Sequence, residues 1–301
     1  MDLNFFRKTR ILDGGMGQEL LARGVEANGT LWSGNALLQE KYHELVLNTH
    51  LDFIKSGAEV IVTTTFTTRR KRLRENNIEN KFEYLNKIAG EIALKTKKRF
   101  PNTLIAGGLP PQNFTYQADD RSEEEIRNNF QEQAKILNPY IDFFYFDVLS
   151  SLKEIKCGIE AITKFKKPYL IGIHISEGKR LPSGDKILDI KKIINNQLLG
   201  IILSCVSPEN FQQNLNELIS LKVPFGFKLN AFITTNTSYS ENYLKSKTGN
   251  PAEVLGKRED LTPENMARIA KIFKNAGATI LGGCCETTPA HIQEISKLTK
   301  K

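Results

Sequence analysis

The sequence predicts a single (β/α)8 barrel, an α/β fold in which residues 1–301 form one domain. Three observations point to it. Eight apolar, β-branched runs of strand length recur along the chain, and they are nearly continuous in apolar character, as parallel strands covered on both faces are. Segments with a 3.6-residue apolar period lie between them. The length, 301 residues, is long for an ordinary domain, short for two and suited to one barrel. A doubly wound open sheet is the alternative architecture for the same alternation.

In chain order the strand runs are Thr9–Leu12, Glu59–Phe66, Leu104–Gly108, Ile141–Val148, Tyr169–Ile175, Leu199–Leu203, Phe225–Leu229 and Ala278–Gly283. Helical periodicity is clearest over Leu38–Ile54, Phe82–Lys97, Ser122–Leu137 and Asn265–Ala276. Helix starts are punctuated. Ser122 with Glu125 reads as a capping box, and Ser207-Pro208, Thr262-Pro263 and Thr288-Pro289 each set a capping hydroxyl before a first-turn proline. Two connections exceed what a barrel needs, Pro110 to Arg121 after the third run and Ala231 to Leu261 after the seventh. Loops that follow barrel strands lie at the face where active sites are built, so both are candidate substrate loops. No linker, repeat or low-complexity segment divides the chain.

With 40% hydrophobic and 25% charged residues, the composition is that of a globular protein and excludes disorder. No apolar run reaches the roughly 18–20 residues of a membrane span. The first ten residues lack the apolar core of a secretory signal, and four cysteines are too few for a disulfide framework in a chain this long. A cytoplasmic protein without membrane contact is expected. The net charge is +8, from 42 basic and 34 acidic residues. The one dense basic run, Arg69-Arg70-Lys71-Arg72-Leu73-Arg74, lacks interleaved stacking aromatics and reads as solvated helix surface, so no nucleic-acid partner is expected.

Three cysteines share a context. Cys205 ends the sixth run, in Ile201-Ile202-Leu203-Ser204-Cys205, and Cys284-Cys285 end the eighth, after Gly282-Gly283. A barrel brings these strand ends to one face, so three thiols about 80 residues apart in sequence converge there. Three thiolates around a divalent ion leave a fourth tetrahedral position open, the pattern of a catalytic zinc site. A redox pair would more naturally be Cys-x-x-Cys at a helix start, and simple burial of small apolar side chains is the bland alternative. Cys157, alone in an amphipathic segment, reads as core. His43, His50, His174 and His291 have no metal-ligand spacing.

These motifs make the chain resemble the homocysteine S-methyltransferase family, which includes betaine– and S-methylmethionine–homocysteine methyltransferases and the homocysteine domain of cobalamin-dependent methionine synthase. The likeness covers nearly the whole chain. It begins at Ile11-Leu12-Asp13-Gly14-Gly15-Met16-Gly17-Gln18-Glu19-Leu20, passes through Leu31-Trp32-Ser33 and reaches Gly282-Gly283-Cys284-Cys285. It implies a (β/α)8 barrel, Zn2+ held by Cys205, Cys284 and Cys285, and methyl transfer from a small donor to the thiol of homocysteine, forming methionine. It also implies that Asp13 and the Gly14 backbone hold the amino-acid part of the acceptor, that Trp32 faces a cationic donor, and that the small-molecule substrates are homocysteine and S-methylmethionine, S-adenosylmethionine or a betaine-like compound.

Three positions depart from the family pattern. Asp147, in Phe146-Asp147, stands where the family has a Glu that binds the substrate ammonium. Thr64, in Thr63-Thr64-Thr65, replaces an amide, and Ser204 replaces another beside Cys205. The zinc ligands are intact, whereas the acceptor contacts are altered. The alternative is the same zinc-holding, thiol-binding barrel working with a separate corrinoid protein, or binding a thiol without turnover.

Overall fold

All eight apolar runs enter one parallel sheet in the computed structural model, which describes residues 1–26, 28–235 and 250–299. The strands are β1 (Arg10–Ile11), β2 (Val60–Val62), β3 (Leu104–Leu109), β4 (Phe143–Leu149), β5 (Tyr169–Ile173), β6 (Leu198–Val206), β7 (Phe225–Leu229) and β8 (Ile280–Gly283). Hydrogen-bonded neighbours follow chain order from β2 to β8, and β8 then pairs with β1 in the register Arg10–Ile280, Ile11–Leu281. A parallel bridge between Leu12 and Val60 closes the circle. The fold is the (β/α)8 barrel, not the open sheet.

Two buried layers hold it together. Leu12, Val60, Ala106, Phe143, Tyr145, Leu170, Leu199, Ile202 and Ile280 fill the barrel, joined by Phe6 from the N-terminal segment. The Phe6 ring meets Phe143 edge-on with centroids 6.0 Å apart and stoppers the end from which the strands start. The larger layer lies between sheet and helices and includes Ile61, Ile105, Phe146, Ile171, Leu203 and Phe227. The inward and outward sets alternate along each strand, which is why the runs read as continuously apolar.

The helices Phe82–Arg99, Glu123–Leu137 and Pro263–Asn275 match the periodic segments. Ser122, Ser207 and Thr262 each accept the backbone N–H three residues on, and Thr288 donates its own N–H to Nδ1 of His291 at 3.0 Å. Three expectations are corrected. Gln39 is extended and splits the periodic stretch 38–54 into a short helix, a 3-10 turn and the helix His43–Lys55. Thr63–Phe66 leave the sheet, Thr65 turning back through its N–H onto the Thr63 carbonyl. The connection from β5 to β6 has only the 3-10 turn Ile187–Lys192, whose Ile187 and Ile190 cover the barrel instead of a full helix.

In the basic run, Arg70 and Arg74 are surface groups paired with Glu132 and Glu79. Arg69 and Arg72 are buried, not solvated. Arg69 donates to the carbonyls of Phe66 and Asn113 and to Thr115 Oγ1, tying together two loops of the C-terminal face. No helix among the described residues is long and apolar enough to cross a membrane.

Candidate active site and metal centre

The C-terminal ends of the strands surround one cavity. Its lining includes Asp13, Gly14, Trp32, Thr64, Asp147, Cys205, Cys284 and Cys285, every residue singled out for the site from the sequence. Lys228 and Tyr116 line it as well.

Local backbone geometry aims these side chains. The β4 register shifts between Phe146 and Leu149, and the β6 register between Ser204 and Val206. These bulges fall at Asp147–Val148 and at Cys205, and a bulge redirects a side chain at a strand end. Val148 (φ 66°) and Cys205 (φ 54°) adopt left-handed backbone, as do Trp32 (φ 47°) and Tyr116 (φ 65°) in loops of the same face. Such conformations are disfavoured for residues with a Cβ and concentrate at functional sites. At the end of β8, Cys284 donates its N–H to the Leu229 carbonyl, and the Cys285 carbonyl accepts from Ala231. Gly283 has ordinary backbone, and its role is space: a Cβ there would stand 2.2 Å from Thr287 Oγ1. At Gly17 a Cβ would collide with the Trp32 indole at 2.1 Å. The glycines of Asp13-Gly14-Gly15-Met16-Gly17 thus let the first loop press against the aromatic wall and the cysteine loop.

The three Sγ atoms lie within 4.8 Å of one another, with Cys205 and Cys285 3.9 Å apart. Tetrahedral zinc–thiolate bonds of about 2.3 Å put sulfurs about 3.8 Å apart, so the donor set fits a soft divalent ion. Burial opposes ionisation of Cys205, but hydrogen bonds from Cys284, Cys285 and Tyr116 outweigh it and bring its pKa well below the usual thiol range. Cys284 and Cys285 are pushed upward, chiefly by their bonds to Cys205. The protein alone therefore favours one thiolate in this cluster, and a cation is what permits three. Cys157 is buried in the helix Leu152–Ile162 and takes no part in the cluster.

Two groups around Cys205 were not foreseen. Tyr116 Oη lies 2.9 Å from Cys205 Sγ and its ring stacks on His174 with centroids 4.2 Å apart. Asn230 Nδ2 donates to the same sulfur at 3.5 Å, so an amide from β7's end stands beside Cys205 although Ser204 supplies none. Sequence position gave the one usable signal, since Tyr116 lies in the long loop 110–121. The other long loop contributes Phe232 and Pro251 to the cavity, while its residues 236–249 lie outside the described ones.

The charged groups are few. Asp13 is fully buried, its Oδ1 accepting from Lys228 Nζ at 2.7 Å and its Oδ2 from the Val62 N–H at 2.8 Å. Asp147 Oδ1 accepts from Tyr145 Oη at 2.7 Å, and the same phenol contacts Ser204. Burial pushes the Asp147 carboxyl up to about 7, aided by Cys284 and opposed by Lys228. Thr64 Oγ1 meets Nε2 of His50 at 3.1 Å, and burial drives the pKa of His50 and of His174 down to about 4, so both rings are neutral. The arrangement offers a thiolate cage for a metal, charged groups for an amino acid, and an aromatic wall of Trp32, Phe66, Tyr116 and Phe232.

The family model for homocysteine S-methyltransferase matches residues 10–299. The chain belongs to that family. Among curated relatives it is 26% identical to homocysteine S-methyltransferase 2 of Saccharomyces cerevisiae, over 98% of this chain and 95% of that one. It is 23% identical to homocysteine S-methyltransferase of Escherichia coli, over 94% and 92%. The crystal structure of the E. coli homocysteine methyltransferase MmuM in its metallated form superposes with a TM-score of 0.76 at 22% identity, covering 97% of this chain and 96% of that one, and so shares the barrel fold. Membership makes the chain a methyltransferase, and the family's reaction carries a methyl group to homocysteine and yields methionine.

Proposed function

We propose that the protein is a zinc-dependent homocysteine S-methyltransferase that takes its methyl group from a small onium donor: S-methylmethionine, S-adenosylmethionine or a betaine-like compound. One observation carries this reading, the convergence of Cys205, Cys284 and Cys285 in the same cavity as Asp147 and the aromatic wall. The metallated form of MmuM supports a metal in a barrel of this kind.

Zinc bound by the three cysteines would supply an open position at which a substrate thiol is held as thiolate, where a free thiol of pKa roughly 8.5 is mostly protonated at neutral pH. The remaining work falls to the protein. Asp147, fixed by the Tyr145 hydroxyl, takes the acceptor ammonium through its other oxygen. Trp32, in the buried aromatic wall, faces the donor cation, an attraction of about 1–2 kcal/mol once water is excluded. Tyr116 and Asn230 donate to Cys205 and draw charge from that sulfur, leaving the substrate sulfur the better nucleophile. In the transfer a new S–CH3 bond forms as the donor's onium–CH3 bond breaks, and the donor leaves as a neutral thioether or amine. The only proton released is that of the acceptor thiol on binding, so no side chain acts as a general base. Orientation within the walled cavity provides the rest of the acceleration.

The test is turnover of homocysteine by zinc-loaded protein with each of the three donors, followed as methionine formed. Methionine with at least one of them, lost on chelation and restored by zinc, is the expected result. Methionine only when a methylcorrinoid is added would move the donor to a partner protein, and zinc-independent turnover would remove the metal from the reaction.

A further inference from the structure

We propose that Lys228 binds the carboxylate of the acceptor, so that the Asp13–Lys228 pair, not Asp13 alone, recognises the amino-acid part and restricts this site to thiols that carry a carboxylate. The inference rests on the thiol-methyltransferase reading above and names the residue that selects its acceptor.

Lys228 is an anomaly in both sequence and structure. It is the one charged residue of β7, Phe225–Leu229, whose other side chains are apolar or absent. Its own side chain is 6% exposed and belongs to the cavity lining, with the three cysteines and Asp147. An ammonium in the interior of a buried strand loses most of its hydration, and the fold compensates with one contact, Asp13 Oδ1 at 2.7 Å. A lysine has three N–H donors, and Asp13 is the one acceptor Lys228 meets among the described residues. The rest of its donating capacity has no partner among the described residues, and the residue lines the cavity.

Asp13 is correspondingly engaged. Lys228 takes one of its oxygens and the Val62 N–H the other. A carboxylate held this way neutralises and orients a lysine, and is poorly placed to be the principal partner of a substrate ammonium. Among the described lining residues Lys228 is the only cation, facing Asp13, Asp147 and three thiols. An anionic substrate group therefore has a single partner of opposite charge. Asp147 at the end of β4 and Lys228 near the end of β7 give the cavity one free anionic and one cationic contact beside the cysteine cluster. That polarity suits the ammonium and carboxylate of an α-amino acid that bears a thiol.

The experiment compares homocysteine with 3-aminopropanethiol, which is homocysteine without its carboxylate, on zinc-loaded wild type and Lys228→Met, with the metal content of each measured. Wild type should prefer homocysteine by about 10- to 100-fold in kcat/KM, the value of one charge-assisted hydrogen bond in a buried site. In Lys228→Met with full zinc, the preference should fall to about threefold or less. A preference that survives in the variant, or equal losses for both thiols, overturns the assignment and leaves Lys228 a charge balance for Asp13 and the thiolates. If removing one half of the buried pair prevents folding, Asp13→Asn/Lys228→Met leaves no unpaired charge and carries the same comparison. Should no donor methylate either thiol, the proposed reaction fails while this inference is still decided by calorimetry of the zinc-loaded proteins. Lys228→Met must then weaken 4-mercaptobutanoate by about 10- to 100-fold and 3-aminopropanethiol far less, and equal weakening of the two overturns it.

Discussion

Tyr116 holds its hydroxyl 2.9 Å from the sulfur of Cys205, although the tyrosine sits in the loop after β3 and the cysteine ends β6. The phenol is fixed from behind by the stacked ring of His174, and that imidazole in turn lies 3.2 Å, through Nδ1, from the carbonyl of Ser204. The contact links the long loop directly to the proposed metal centre. Removing the hydroxyl in Tyr116→Phe keeps the ring stacking and withdraws one hydrogen bond from a ligating sulfur. Zinc affinity or turnover should fall by about tenfold, at the low end for outer partners of a metal ligand, with little change in melting temperature. Competition with a chromophoric chelator measures the first, and an unchanged affinity together with unchanged turnover would show that the contact is incidental.

The cysteines differ in what their loss should do. Cys284→Ser and Cys285→Ser each remove a thiolate from the cluster and should lose most bound zinc at neutral pH. Cys157→Ser, in the helix Leu152–Ile162, should retain all of it. Metal content per chain after gel filtration is the readout. Near-stoichiometric zinc in both of the first two variants is incompatible with the assigned site.

Asp147→Asn keeps the hydrogen bond from Tyr145 possible and removes the charge. Acceptor binding should weaken by about 10- to 100-fold, the value of a charge-assisted bond to an ammonium, while zinc content stays constant. Titration with homocysteine checks this. An unaltered acceptor constant would place the ammonium elsewhere in the cavity.

Glu154 should make a contribution to stability that falls with rising pH, opposite in sign to that of the buried neutral His50 and His174. This carboxyl is fully buried at the start of the helix Leu152–Ile162, where Oε2 accepts from Ser151 Oγ at 2.7 Å and Oε1 meets no partner. Burial pushes its pKa up to about 8 from an ordinary 4.5. Between those two values the folded chain keeps a proton that the unfolded chain releases, so the stabilisation is complete below about pH 4.5 and is lost progressively toward pH 8. The loss is of the order of 5 kcal/mol. Glu154→Gln cannot ionise and should show a flatter profile of unfolding free energy from pH 5.5 to 8. Parallel profiles for the two proteins would mean that Glu154 is ionised, or solvated, in the native state.

Much of the architecture was legible in the sequence because burial on both faces leaves an unbroken apolar run that alternation cannot mimic. Each of the eight runs overlaps its strand, with β3, β4 and β6 running past the predicted ends, and the capping hydroxyls at Ser122, Ser207 and Thr262 mark real helix starts. The break at Gln39 was not legible, since a single extended residue leaves the apolar period on either side almost in phase. The cysteine cluster could be found because covalent spacing and strand ends are written in the chain. The partners of those cysteines could not. Tyr116 reaches Cys205 through a left-handed backbone in a loop, and Asn230 reaches it from a neighbouring strand, both matters of three-dimensional arrangement. Lys228 did carry a signal, a lysine among Phe225, Phe227 and Leu229, which pattern reading absorbed into the strand.

Phe6, wedged beneath Phe143, seals the floor of the barrel, so among the described residues the site is reached from the face where the strands end. In the proposed reaction acceptor, donor and both products would then share that one face. A donor that enters ahead of its acceptor sits in the path to the cysteines, and a product that lingers shuts out the next pair. Throughput at high concentrations of either substrate is then governed by queuing at the mouth, and the rate should pass through a maximum instead of reaching a plateau.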